Sequence, residues 1–204
     1  MNRTARAFVN RRGAGLRCPG PKTFARSRNP ARRRAVSHAM KTLLLLRHAK
    51  SSWKIADQPD FERPLNGRGE KSAPLMGRYL RKQKIEPTLI LCSPAERARQ
   101  TAALFAEAAR TNAELRYDER IYEAAGLRLL EVVTQADDAA DTVLLVGHNP
   151  GLEELIMVLT GQTQLMPTAA LAKIDLSTDK WGKVKEQTGS IDWVVRPKDL
   201  EEEA

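Results

Sequence analysis

Three runs of four apolar residues punctuate the chain, at Leu43–Leu46, Leu89–Cys92 and Val143–Val146. A strand with one wetted face alternates apolar and polar residues; an unbroken run this short suits a strand covered on both faces, as in a parallel sheet. Helical spacing fills the intervals, over Asn66 to about Lys84, Pro94 to about Arg110, Gly126 to about Ala136 and Pro150 to about Thr160. Ser93-Pro94-Ala95-Glu96 reads as a capping box with proline at the first helical position, and Asn149-Pro150 as a second helix start directly after His148. Gly67 and Gly69 fall where the first helix begins. After Gly161 the period shortens: Leu171–Leu176 and Trp181–Gln187 predict two short strands across a Ser-Thr-Asp-Lys turn, with Ile191–Val195 as a third extended stretch. The predicted class is α/β, a three-layer sandwich on a mostly parallel, mixed central sheet with crossovers of the usual hand.

The chain has 204 residues, 42% hydrophobic and 29% charged, a size and balance that suit one soluble domain with an appendage. Its formal charge of +9 points to a nucleic-acid partner only if it is spread over the fold. It is concentrated instead. Residues 1–39 carry ten arginines and Lys22 with no acid, whereas 23 basic and 25 acidic residues follow from Met40. The segment 1–39 has no hydrophobic period and no apolar run long enough for a secretory signal or a membrane span, and is expected to be disordered. Three readings of it are open: a transit peptide, a nucleic-acid-binding arm, or leader translated ahead of a start at Met40. The last is preferred because a strand begins directly after Met40. The expected domain is 40–200, with an acidic end at 201–204. Cys18 and Cys92 allow at most one disulfide and no zinc ribbon, and fit a reducing, cytoplasmic setting, with an organelle as the alternative should 1–39 be a transit peptide.

In an open α/β sheet, ligands bind beyond the carboxyl ends of the strands. The polar residues that end the three apolar runs are Arg47-His48, Ser93 with Arg97 one helical turn on, and Gly147-His148. Two arginines and two imidazoles, with helix N-termini nearby, make a pocket for a compact anion, and the guanidinium fork matches a tetrahedral phosphate. A neutral imidazole beside a phosphate is a competent nucleophile that needs no metal, with the arginines stabilising charge on the equatorial oxygens. Taken singly, His48 is equally a satisfied strand-end histidine and His148 a helix-start residue bonded to backbone; their coincidence with two arginines favours a site. Arg99 points elsewhere on its helix and is assigned to the surface.

Arg47-His48-Ala49 after an apolar strand, Ser93-Pro94-Ala95-Glu96-Arg97-Ala98-Arg99-Gln100-Thr101-Ala102 and Gly147-His148-Asn149-Pro150-Gly151-Leu152 together resemble the histidine phosphatase, or phosphoglycerate-mutase-like, superfamily. Arg-His-Ala-Lys-Ser-Ser-Trp at 47–53, Arg63-Pro64-Leu65 with Gly69, and Arg196-Pro197-Lys198 are similar to its compact SixA-type phosphohistidine phosphatases. The resemblance runs from about residue 41 to 199. It implies that His48 is the phosphorylated nucleophile, that Arg47 and Arg97 bind phosphoryl oxygens, and that His148 is the second pocket histidine. Ala49 stands where the superfamily usually has glycine, a departure common in this subgroup. By position, Glu123 in Ile121-Tyr122-Glu123 is the candidate general acid, a surface carboxylate in an acid-rich stretch being the competing assignment. Arg63 is a candidate phosphate ligand, against an exposed loop cation.

The function expected is a phosphatase acting through a covalent phosphohistidine, without metal or other cofactor, on phosphohistidine in a protein. Small phosphate esters are the alternative substrate. The domain beyond Met40 leaves little room for the insertions that cover small sugar phosphates in the mutases, and an uncovered pocket suits a protein side chain. A silent phosphate-binding module and a metal hydrolase built on His48, His148 and an acid are the remaining readings. Against the latter, the two histidines stand among cations and no His-Glu helix motif is present. No membrane partner is expected, and nucleic acid only through the basic tail.

Overall fold

The computed structural model describes residues 40–54 and 57–201. The readings of 1–39 and of the end at 202–204 lie outside the described residues. Six strands form one sheet: β1 (Thr42–Arg47), β2 (Leu89–Cys92), β3 (Glu114–Tyr117), β4 (Thr142–Gly147), β5 (Leu171–Leu176) and β6 (Gly189–Val195), in the spatial order β3-β2-β4-β1-β5-β6. The first four are mutually parallel; β5 runs antiparallel to β1, and β6 antiparallel to β5. The helices are α1 (Gly67–Lys82), α2 (Glu96–Ala109), α3 (Gly126–Thr134), α4 (Gly151–Thr160) and the short α5 (Pro197–Glu201).

Both faces of the sheet are covered, and for that reason the apolar runs lack alternation. Leu43 and Leu45 of β1, with Val143 and Leu145 of β4, pack into a core with α3 and α4. Leu44, Leu46, Leu144 and Val146 face the opposite way, against α1 and α2. All eight side chains are fully buried, each stabilising the fold by about 2 kcal/mol. This is the expected three-layer sandwich.

Two expected features differ. The segment from Trp181 is a single 3-10 turn over Trp181–Lys183, and the partner of β5 is β6. Trp181 is wholly buried, with its backbone N–H donating to Asp138 and its indole Nε1–H to the Ala140 carbonyl, so anchoring this one ring overrides the alternating pattern. Strand β3 has no apolar run to announce it: its four residues are exposed at the sheet edge, and it is held by its parallel pairing to β2.

The register places the site. Arg47 of β1 pairs with Gly147 of β4, and Cys92 of β2 with Val146, so His48, His148 and Ser93 emerge side by side from the carboxyl edge. The chain after β1 is fastened to the first turn of α1. Asn66 caps that helix, accepting from the N–H groups of Arg68 and Gly69, while its own N–H donates to the Lys50 carbonyl. Gly69 is the point of closest approach, since a Cβ there would stand 2.3 Å from the Lys50 oxygen, whereas one on Gly67 meets nothing within 4 Å. Gly69→Ala is therefore expected to destabilise the protein by about 1–3 kcal/mol in urea unfolding, with Gly67→Ala near neutral; equal midpoints for the two would contradict this packing.

Candidate active site

His48 leaves β1 with its N–H donating to the Gly147 carbonyl. Its Nδ1 lies 2.8 Å from the carbonyl oxygen of Ala49, which can only accept, so Nδ1 carries the proton and Nε2 presents a lone pair. The Ala49 N–H donates to Thr101 Oγ1, whose hydroxyl donates to the Arg97 carbonyl; Thr101 thus ties the neighbour of His48 to α2. His148 stands against His48, ring centroids 5.0 Å apart and tilted by 48°. Arg97, a donor only, approaches His148 Nδ1 at 3.3 Å, leaving Nε2–H to donate to Ser93 Oγ at 2.8 Å.

That bond corrects one expectation. Ser93 does not cap α2, which begins at Glu96 without a side-chain cap; its hydroxyl oxygen serves His148 and the Ala95 N–H, while Glu96 accepts from Gln100. Asn149 likewise does not cap α4. Its amide donates to Glu153 and to the Met166 carbonyl, and the Asn149–Pro150 peptide is cis. Glu153 also accepts from the Met166 N–H, and the Met166 carbonyl accepts from Arg47, so this loop sets the direction of that guanidinium. The Arg47 Nε is buried with no hydrogen-bond partner among the described residues, a donor suited to an incoming anion.

Both imidazoles are held neutral. Burial pushes His48 down to about 4; the guanidinium groups of Arg97, Arg47 and Arg63 add to the shift, and the Ala49 bond opposes it. Burial also pushes His148 down, to about 3, helped by His48, Arg97 and Arg47 and opposed by Asp60.

The carboxylate that touches this cluster is Asp60, from a short turn over Asp60–Glu62. Its Oδ2 accepts from Arg97 at 2.8 Å and from the Tyr122 hydroxyl at 3.0 Å, its Oδ1 accepts from Arg63, and its backbone carbonyl takes a second Arg97 bond. Partial burial raises its pKa, but Tyr122, Arg97 and Arg63 outweigh this and hold it below the usual carboxylate range, so it is ionised at neutral pH. Arg63 is buried. It spends its donors on Ser52, Ser51 and Asp60 beneath the Trp53 ring, reaching His48 through its field. Glu123 is exposed with φ of +49°, and Arg99 lies on the surface over the Tyr117 ring. Asp60, Tyr122 and Thr101 are the members that sequence reasoning missed. The one available signal was Asp60 standing one helical turn before Arg63.

Two neutral imidazoles among three guanidinium groups, at the carboxyl edge of a parallel sheet, make a pocket chemically suited to a phosphoryl group and to nucleophilic attack by an imidazole. Comparisons with known proteins agree. The model of the histidine phosphatase superfamily (branch 1) matches residues 43–129. An uncharacterised Mycobacterium tuberculosis protein is 40% identical over 116 residues, 56% of this chain and 69% of that protein. An uncharacterised chloroplastic protein of Arabidopsis thaliana is 28% identical over 162 residues, 74% of this chain and 73% of that protein. Among solved structures, a candidate phosphohistidine phosphatase SixA from Agrobacterium tumefaciens superposes with a TM-score of 0.67 at 27% identity, covering 78% of this chain and 99% of that one. The chain belongs to the histidine phosphatase superfamily, in its SixA-type branch, and is a phosphatase.

The depressed imidazoles link stability to pH. Both folded-state values lie below the ordinary 6.5, so as the pH falls below 6.5 the unfolded chain takes up protons that the folded one refuses. This contribution to stability is intact above pH 6.5 and is lost as the pH falls toward 4 for His48 and 3 for His148, by up to about 1.4 kcal/mol per unit for each ring. Denaturant unfolding across this range should show a shallower acid limb for His48→Gln and for His148→Gln than for the parent; parallel limbs would show that these rings are not the linked groups.

Proposed function

We propose that the protein hydrolyses phosphohistidine in a partner protein through a phosphorylated His48, without a metal ion. The observation that carries this reading is the Nδ1 bond to Ala49, which leaves Nε2 of a neutral imidazole free to attack phosphorus. Arg47 and Arg97, with His148, bind the phosphoryl oxygens, the buried Arg47 Nε being the donor in need of an acceptor. Arg63 supports from below by holding Asp60 and adding positive field.

In the first step Nε2 of His48 forms a bond to phosphorus as the phosphorus–nitrogen bond of the substrate breaks. A substrate ring already protonated on its other nitrogen departs as neutral imidazole, and phospho-His48 keeps its Nδ1 proton. One phosphoramidate replaces another, so the exchange is nearly balanced in energy and asks no proton from the enzyme. In the second step water attacks phosphorus, His48 leaves as neutral imidazole, and both water hydrogens depart with dihydrogen phosphate.

The absence of a need for an acid is what favours phosphohistidine over an ester, whose alkoxide must be protonated. The carboxylate in contact with the cluster, Asp60, is ionised, and Glu123 faces solvent. Among the described residues no three His, Cys, Asp or Glu side chains are grouped to hold a metal, and no helix is long and apolar enough to cross a membrane. The free, buried Cys92 fits a cytoplasmic setting; the chloroplastic relative supports an organelle as the alternative.

His48→Ala is expected to abolish hydrolysis of phosphoramidate while unfolding at an unchanged midpoint, and rapid quench of the parent in excess chelator should trap acid-labile phosphate on His48. Turnover by the variant, or loss of parental turnover in chelator, would overturn the proposal. Asp60 contributes through competition: its carboxylate occupies the Arg97 Nη2 donor and neutralises charge that a phosphoryl group needs. Asp60→Asn should therefore tighten competitive inhibition by inorganic phosphate several-fold, and weaker inhibition would assign Asp60 to positioning Arg97 instead.

A further inference from the structure

A groove of roughly 770 Å³ opens from Arg47 and runs between the first turns of α1, the loop before β5 and the start of α5. Its walls carry five cationic side chains, Arg47, Lys50, Arg68, Arg196 and Lys198, against one acid, Glu153. That acid is already engaged by the Asn149 amide and the Met166 N–H, and Arg196 is paired with Asp199. Among the described residues no side-chain hydrogen bond or ion pair holds Lys50, Arg68 or Lys198, and all three are exposed.

The domain does not force this concentration. From Met40 onward acidic residues outnumber basic ones, 25 to 23, so a wall of five cations is a local arrangement in a nearly neutral domain. The three free cations come from three separate segments: the loop after β1, α1 and α5. They converge because Gly69 lets the loop lie against α1 and because α5 follows β6 back across the same edge.

We propose that this groove receives an acidic segment of the substrate protein, flanking the phosphohistidine that enters at His48; the proposal deepens the reading of the reaction given above and rests on it. A small-molecule site is enclosed, mostly apolar and furnished with a few fixed polar groups. Here three of the five cations, Lys50, Arg68 and Lys198, are solvent-facing and without a partner among the described residues, and Leu165 at the same groove is 71% exposed, the composition of a protein interface that steers a partner by charge. The shared Arg47 makes the groove continuous with the phosphoryl pocket, so chain adjoining a bound phosphohistidine lies along it.

The test is binding of a fluorescein-labelled, unphosphorylated peptide with aspartates around a histidine, measured by anisotropy on the full chain. Lys50→Glu/Arg68→Glu/Lys198→Glu should weaken binding by roughly tenfold or more, and the milder Lys50→Gln/Arg68→Gln/Lys198→Gln by less. Added salt should weaken binding by the parent more steeply than by either variant. Residues 1–39 are common to all three proteins, so the difference reads the groove. Equal binding by parent and variants, or equal binding of a neutral peptide, would overturn the proposal. So would an oligonucleotide that binds more tightly than the peptide and suffers the same loss in the variants, since the occupant would then be nucleic acid. Because the probe carries no phosphate, failure of the covalent mechanism shows separately, as turnover by His48→Ala. With phosphohistidine peptides, the parent's preference in kcat/KM for acidic over neutral flanks should vanish in the glutamate variant.

Discussion

Two imidazoles kept uncharged inside a ring of guanidinium groups are the condition on which the pocket rests. A protonated histidine has no lone pair to offer phosphorus and would repel the arginines that, in the proposed reaction, hold the phosphoryl oxygens. Burial supplies most of the depression at both rings, and the arginines add to it, so in the proposed reaction the groups that would bind the phosphoryl oxygens also keep His48 unprotonated. The arrangement has a cost in the folded state: three cations face one another with little solvent to screen them. Asp60 offsets that repulsion by accepting from Arg63, Arg97 and the Tyr122 hydroxyl at once. Its side chain remains 42% exposed, so a stronger anion can reach the same donors.

The scaffold's task is to hold these groups in register. Parallel pairing of β1 with β4 and of β4 with β2 brings three strand ends to one line, and a slip of one residue would turn every leucine of β1 to the opposite core. Both cores are built of closely packed, buried apolar side chains, so the slip would have to repack the two of them together. Beyond the strands, polar side chains bonded to distant backbone provide the finer positioning. Thr101 joins α2 to Ala49, Asn149 and Glu153 hold the loop whose Met166 carbonyl orients Arg47, and Asn66 with Gly69 draws the loop after β1 onto α1.

Charge is distributed in two tiers around the pocket. Arg47, Arg63 and Arg97 are half-buried or buried and bonded, suited to a small anion at a fixed place. Lys50, Arg68 and Lys198 are exposed and have no partner among the described residues, suited to attracting acidic surface from a distance and tolerating variation in it.

Much of this was legible in the chain. The three apolar runs marked the buried strands, the four long helices ended within about two residues of their expected bounds, and Arg47, His48, Arg97 and His148 stood out because they lie at, or one helical turn beyond, the polar ends of those runs. Such features depend on chain neighbours: periodicity, breakers and covering of both faces are properties of a contiguous segment. What tertiary structure decided were the partners of polar atoms. Ser93 carries the residues of a helix cap yet serves His148, and Asn149 donates to Glu153 and Met166 rather than capping α4. Trp181 broke an alternating pattern to fill a core, β3 formed on an exposed edge, and Asp60 reached Arg97 from 37 residues away. In each case the outcome turned on which distant segment arrived. A hydroxyl, amide or carboxylate can satisfy itself in several ways at similar energy, and only the folded neighbourhood selects one.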